Sequence, residues 1–397
     1  VRFDLVFRRE RSYTGREEAR YSMNTISRRR FAQLLGAGAA AAVARPALSL
    51  ARSPVPAPPG TGIVRLSSNE NPFGPSPKAL KAITDAFEFA CRYPDDHADL
   101  LLDALAKQDG VAREQILLGA GSSEILENCA AEFTGTPAPG RESGGTLVVA
   151  DPTFELIARH ARFHGAEVVK VPLTAEFAHN LPEMIAAAKQ GLIYICNPNN
   201  PTASLTPKSE IRHAIAKAPR DTIVLVDEAY HHYVGNAEYE SVIPLVRDHP
   251  NLVVARTFSK IYGMAGLRCG YCVAQPEIIE RLRAHQSSDS VNIMALVAAT
   301  ASVNDPERVT SGRKLNRETR ASLVKELERL GFKSIASEAN FIMTDVKRPV
   351  PPLIQAMKQR RVHIGRLFPS LPNHMRITIG KAAEMEQFLS AFREVMA

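Results

Sequence analysis

Between residues 110 and 275, short apolar runs alternate with stretches whose apolar residues recur every three or four positions. The runs Gln115–Leu118, Thr146–Ala150, Glu167–Val171, Leu192–Cys196, Thr222–Val226, Leu252–Ala255 and Arg268–Ala274 predict seven strands. They are continuous in Val, Ile and Leu rather than alternating with polar residues, the pattern of parallel strands covered on both faces. Ser123–Phe133, Phe154–His164 and Pro207–Lys217 carry helical spacing and fit between them. The class predicted is α/β, with an open, mostly parallel seven-stranded sheet covered by helices. After residue 276 the pattern changes to long helical repeats, Val291–Val303 and Pro306–Leu330, then two short strands and a terminal helix, Lys381–Met396. That shift predicts a second, smaller α+β domain. Ahead of the sheet, an extended arm (Ile63–Pro77) leads into a helix from about Pro77 to Ala90. The chain therefore divides into a targeting segment (1–51), a linker with arm and first helix (52–95), a large domain (96–288) and a small domain (289–397).

Composition adds little until it is localised. The chain has 397 residues, 45% hydrophobic and 23% charged, which is ordinary for a globular protein. Its net charge of +7 is confined to residues 1–52, which hold 11 Lys/Arg and 4 Asp/Glu; the remaining 38 residues of each sign balance. The body thus offers no electrostatic case for a nucleic-acid partner. The basic segment reads as an export signal, with the twin arginine of Ser27-Arg28-Arg29-Arg30-Phe31 before a Gly/Ala run that Arg45 interrupts. The run is too short for a stable membrane span. Small residues at Ser49 and Ala51 suit cleavage, Met23 is the expected true start, and Pro54–Gly60 is a Pro-rich linker. The expected location is periplasmic, or cytoplasmic if the signal is not used. Five cysteines (91, 129, 196, 269 and 272) show no disulfide or metal spacing. Cys269 and Cys272 would point to opposite faces of a strand, so no metal site is expected.

In open α/β sheets ligands sit beyond the carboxyl ends of the strands, so the residues after each run carry the chemistry. Gly119-Ala120-Gly121-Ser122-Ser123 opens a helix with free N–H groups and hydroxyls, which suits a phosphate. Asp151-Pro152-Thr153-Phe154 puts an aromatic at a strand end, able to cover a flat ring. Asn197-Pro198-Asn199-Asn200-Pro201-Thr202 is a rigid turn whose amides could bond a phenolate oxygen. Asp227, ending a buried strand, needs a cationic partner, which a protonated pyridine nitrogen would supply. Lys260 offers an amine for a carbonyl cofactor, with Ser259 and Arg268 nearby to clamp a phosphate. Together these are the needs of pyridoxal 5′-phosphate.

From about Val64 to the C-terminus the chain resembles a fold-type I pyridoxal-phosphate aminotransferase of the class I/II group, aspartate-aminotransferase-like in fold. Within that group it looks like the histidinol-phosphate aminotransferase family. The resemblance rests on Asn69-Glu70-Asn71-Pro72-Phe73-Gly74-Pro75, Arg92-Tyr93-Pro94-Asp95, Gly119–Glu124, Asn197–Thr202, Asp227–Tyr230, Ser259-Lys260 with Arg268, and Arg376-Ile377-Thr378-Ile379-Gly380. It implies that Lys260 bonds the cofactor and moves the substrate's proton, and that Asp227 keeps the pyridine protonated. Asn200 and Tyr230 would bond the ring oxygen, with Phe154 stacked on the ring where the family often has Tyr. Ser122, Ser123, Ser259 and Arg268 would hold the phosphate, with Tyr93 reaching it from the neighbouring subunit of a homodimer. Arg376 would bind the acidic end of the substrate and Arg366 is a candidate second contact.

The implied reaction passes an amino group from an amino acid or histidinol-phosphate-like amine to a 2-oxo acid; decarboxylation or elimination on the same fold is the alternative. The chain departs from the family at Pro56–Gly60, which lacks a Tyr, at Ala203 in place of Gly, and at Lys381 in place of Thr.

Overall fold

The computed structural model describes residues 62–136 and 145–397. The twin-arginine segment, Met23 and the Pro54–Gly60 linker lie outside the described residues. In chain order the strands are β1 (Val64–Arg65), β2 (Ile116–Gly119), β3 (Thr146–Asp151), β4 (Val168–Pro172), β5 (Gly191–Cys196), β6 (Thr222–Asp227), β7 (Leu252–Thr257), β8 (Gly270–Val273), β9 (Lys333–Ser334), β10 (Phe341–Asp345), β11 (Val362–His363) and β12 (His374–Thr378).

The seven apolar runs form one sheet of order β2-β8-β7-β6-β5-β3-β4. β3 pairs in parallel with β4 and β5, β5 with β6, and β6 with β7. β8 is antiparallel to both neighbours, β2 and β7. The other strands therefore share one direction and end along one edge. Every residue of β5, β6 and β7 is buried, which accounts for runs without alternation. Helices cover the faces through apolar stripes: Ser122–Phe133 buries Ile125, Leu126, Cys129, Ala130 and Phe133, at spacings of three and four. Each buried Leu, Ile or Phe contributes about 1.5–3 kcal/mol, so packing rather than propensity holds such a helix.

A second core surrounds β10, the middle strand of the antiparallel sheet β12-β10-β9. Helices Val350–Gln359 and Ala382–Met396 pack on it through Leu353, Met357, Phe388 and Phe392. The helix Pro306–Arg329 joins the two cores: Val309 packs against the first, while Leu323 and Leu327 belong to the second. β1 pairs in parallel with β11, and Leu66 is buried in this second core, so the start of the arm is built into the C-terminal layer.

Three expectations are corrected. The strand expected from Arg268 begins at Gly270. Because β8 runs against its neighbours, its start lies at the ligand edge, and Arg268 sits in the loop just before it. The helix from Pro77, capped by the Ser76 hydroxyl, ends at Asp85, and a 3₁₀ turn (Ala86–Phe89) replaces its last part. Four strands follow residue 276 in the C-terminal layer instead of two; β9 and β11 are two residues long, too short to carry a periodic signal.

Candidate active site

A cavity of about 260 Å³ opens at the shared carboxyl edge, lined by residues from the ends of β2, β3, β5, β6 and β7 and from the C-terminal layer. Lys260, Ser122, Ser123, Phe154, Asn200, Asp227, Tyr230, Ser259, Arg268, Arg366 and Arg376 all reach it. Tyr93 does not; it is 80% exposed on the surface of this chain.

At one end lies a cup of hydroxyls around a guanidinium. β2 runs into Gly119-Ala120-Gly121, where the helix Ser122–Phe133 begins with its free N–H groups. Arg268 donates through Nη2 to the Ala120 carbonyl and Ser123 Oγ, both at 3.3 Å, and through Nη1 to the Ala265 carbonyl at 2.9 Å and Ser259 Oγ at 3.4 Å. Gly121 has φ +80°, and a Cβ there would lie 2.2 Å from Arg268 Nη2. Only glycine leaves that space. Thr257 donates to Ser259 Oγ at 3.0 Å and adds a further hydroxyl to the wall. Arg268 itself has φ +61°, a left-handed conformation that costs a non-glycine residue about 1–3 kcal/mol and is tolerated where a site demands it.

The middle of the cavity is flat-walled. Phe154 follows β3, and its turn is tied to the next one: Asn199 donates to the Pro152 carbonyl at 3.0 Å and accepts from Thr153 Oγ1 at 2.8 Å. The peptide bonds before Pro152 and Pro198 are cis. Ala203, buried, closes the second turn at φ +60°, a backbone conformation in which glycine carries no penalty.

Asp227 ends β6, buried. Tyr194 donates to its Oδ2 at 2.8 Å and the Ala229 N–H to its Oδ1 at 3.1 Å. Burial pushes the carboxyl up to about 6, against the opposing pull of the Tyr194 and Ala229 donors and of Lys260. Lys260 Nζ donates to the Asn69 carbonyl at 3.3 Å and lies 5.5 Å from the centre of the Tyr230 ring. Burial, helped by Arg376, brings its ammonium down to about 8, with Asp227 opposing. Burial likewise raises the Tyr230 hydroxyl, which accepts from Asn69 Nδ2 at 3.2 Å.

Arg376, on β12 and 8% exposed, donates through Nη1 to Asn200 Oδ1 at 2.7 Å and through Nη2 to the Ser67 carbonyl at 2.6 Å. With its carbonyl held this way, Asn200 keeps its NH₂ as the free donor. The Nε of Arg376 is buried without a partner. The guanidinium lies 5.0 Å from the Phe368 ring centre and 5.6 Å from that of Phe341. Burial, with Arg366 nearby, lowers it to about 10, so it stays charged at neutral pH. Arg366 sits at the rim, paired with Glu155 at 2.7 Å and 4.3 Å from the Phe368 ring centre.

The family profile for "Aminotransferase class I and II" matches residues 61–392. This chain belongs to that family. It is therefore a pyridoxal-phosphate-dependent aminotransferase. Over 340 residues, 84% of this chain and 86% of the other, the aminotransferase is 38% identical to a histidinol-phosphate aminotransferase of Moorella thermoacetica. It is also 38% identical to that of Symbiobacterium thermophilum over 339 residues, 84% of this chain and 91% of the other. The crystal structure of histidinol-phosphate aminotransferase from Sinorhizobium meliloti in complex with pyridoxal-5′-phosphate superposes with a TM-score of 0.75. That match is 25% identical and covers 84% of this chain and 90% of the other.

The donor set of this aminotransferase fits the cofactor. A guanidinium, hydroxyls and a helix N-terminus suit a phosphate dianion. A buried carboxylate suits a pyridinium, and a lysine near pH 8 is reactive toward an aldehyde. Among the described residues, no cluster of three or more His, Cys, Asp or Glu could hold a metal ion, and no helix is long and apolar enough to cross a membrane.

The sequence pattern does not single out Tyr194, Thr257 or Phe368. A Tyr inside an all-apolar strand is a usable signal, since its hydroxyl must find a partner. Thr257 and Phe368 carry no comparable mark.

Proposed function

We propose that this aminotransferase takes donors and acceptors with an acidic end, from an amino acid or a histidinol-phosphate-like amine to a 2-oxo acid. One observation carries the reading: Arg376, a guanidinium on the cavity wall, is fixed in place by two hydrogen bonds through its Nη atoms. A charged, oriented guanidinium of that kind fits a carboxylate or phosphate oxygen of a ligand. Arg366 at the rim offers a second positive contact.

Bound pyridoxal phosphate supplies an aldehyde that condenses with amines and a protonated ring that draws electrons from the carbon bearing the amine. Lys260 would be the amine that holds it. Once free, Lys260 Nζ takes the proton from the substrate's Cα, a task suited to a base whose pKa is brought down to about 8. Asp227 holds the ring nitrogen's proton. Asn200 and Tyr230, which line the same cavity, would donate to the ring oxygen, and Phe154 would cover the ring face. Ser122, Ser123, Ser259 and Arg268 hold the phosphate, with Tyr93 contributed by the partner of a homodimer. The exposure of Tyr93 on a single chain agrees with such a role. The twin-arginine segment supports export to the periplasm; without use of that signal the enzyme stays in the cytoplasm.

The test is a half-reaction screen that follows conversion of bound cofactor from aldehyde to amine with each candidate donor. Amino acids and phosphorylated amino alcohols are expected to convert it, and donors lacking an acidic group are not. Release of carbon dioxide without a keto-acid product would overturn the reading.

A further inference from the structure

Tyr194 is the one phenol in β5, a strand otherwise made of Gly191, Leu192, Ile193, Ile195 and Cys196 and buried throughout. Its side chain has no exposed surface, and a Phe would pack in the same space. A hydroxyl carried into such surroundings is costly unless it is bonded. Its partner is Asp227, on the neighbouring strand. Tyr194 pairs with Leu225 and Cys196 with Asp227, so Tyr194 and Asp227 are diagonal neighbours on one face, within reach of a long side chain. The phenol takes Oδ2 and the Ala229 N–H takes Oδ1, which fixes the plane of the carboxylate and leaves each oxygen a second acceptor site.

We propose that Tyr194 is a positioning residue for the reaction, its hydroxyl holding Asp227 as an oriented carboxylate so that the cofactor's ring nitrogen keeps its proton. The proposal rests on the reading that Asp227 faces that nitrogen. The titratable groups around Asp227 are Tyr194 and Cys196 on β5, Glu228 beside it, Tyr230 and Tyr239 beyond, and Lys260 after β7. Of these, Lys260 alone can be a cation, and its amine is engaged by the cofactor or the substrate's proton during turnover. The phenol and the Ala229 N–H are the donors that do not change. Burial already raises the carboxyl of Asp227. Loss of the phenol raises its proton affinity further, and a proton shared with the ring shifts from nitrogen to carboxylate.

The experiment uses the full-length holoenzyme reconstituted with cofactor labelled with ¹⁵N at the ring nitrogen, whose chemical shift reports protonation. Wild type is expected to show a protonated nitrogen at neutral pH. In Tyr194→Phe the proton-sharing equilibrium is expected to move roughly ten- to hundredfold toward the unprotonated ring, the worth of one hydrogen bond to a charged group. Cofactor affinity, read by equilibrium dialysis, should fall in the same direction. A wild-type shift and affinity in Tyr194→Phe would overturn the proposal. Asp227→Asn separates it from the reading beneath: if that variant also keeps a protonated nitrogen, the placement of Asp227 fails. If it loses the proton while Tyr194→Phe does not, only the role of Tyr194 fails. Difluorotyrosine incorporated at position 194, a stronger donor of nearly the same shape, covers a poorly folding Phe variant. It should raise the pH at which the ring nitrogen loses its proton, followed by the same ¹⁵N shift across a pH titration, and an unchanged titration there counts against the proposal.

Discussion

The lowered pKa of Lys260 has a consequence that can be followed by varying pH alone. At about 8, against an ordinary 10.5, roughly one amine in ten is unprotonated at pH 7 instead of about one in three thousand. Only the free amine attacks an aldehyde, so attachment of cofactor to apoenzyme should rise about tenfold per pH unit below 8 and then level off. The assay mixes apoenzyme with pyridoxal phosphate, traps the lysine bond with borohydride at timed intervals, and counts labelled Lys260 by mass spectrometry. Burial is the first cause of the shift and the charge of Arg376 the second. Arg376→Met should therefore move the plateau to higher pH without abolishing it. A rate that climbs steadily through pH 10 would refute the reasoning, since it would return Lys260 to the behaviour of a solvated lysine.

Three further outcomes are expected. Arg376→Lys keeps the charge but loses the planar fork that bonds Asn200 and Ser67, so kcat/KM for an acidic donor should fall roughly 10- to 100-fold, the worth of about 1.5–3 kcal/mol; steady-state kinetics check this. Gly121→Ala places a Cβ 2.2 Å from Arg268 Nη2 at φ +80°, so the guanidinium must shift; equilibrium dialysis should show cofactor bound at least about tenfold more weakly, with about 1–2 kcal/mol lost to backbone strain. Arg256 joins Glu228 and Asp109 in a buried cluster at 2.9 and 2.8 Å; Arg256→Met strands both carboxylates and should destabilise the fold by about 3–5 kcal/mol in denaturant titration.

The strands of the large sheet were legible because burial on both faces leaves an uninterrupted Val/Ile/Leu run, as in Thr222–Val226, whatever the neighbours are. The site was legible at the ends of those runs because ligands collect there, and the residues after β2, β3, β5, β6 and β7 do line one cavity. Arg268 is legible from its nearness to Ser259 and Lys260, but its position is not: the inversion of β8, invisible in a local pattern, delivers it to the ligand edge from the loop before the strand rather than from the strand itself. The pairing of β1 with β11 was not legible, since two-residue strands have no period and their contact depends on chain ends far apart in sequence. Tyr194 escaped notice because its partner is set by the register between β5 and β6, which no single run contains.

That register of β1 bears on the order in which the molecule can be completed. Val64 finds its partner only at Val362, about 300 residues later. At roughly 5–20 residues per second of synthesis, β1 waits about 15–60 s with its ladder groups unpaired. Leu66, at the heart of the C-terminal layer, waits with it. All seven strands of the large sheet are complete by Val273, and Leu282, Val291 and Leu296 add to its core soon after, so it can close early. The Ser67 carbonyl that anchors Arg376 joins the cavity only when the last strands arrive. A nascent chain stalled after β8 would thus carry Asp227, Lys260 and Arg268 but not Arg376, the residue we propose for the substrate's acidic end, so cofactor binding and substrate selection would be completed at different times.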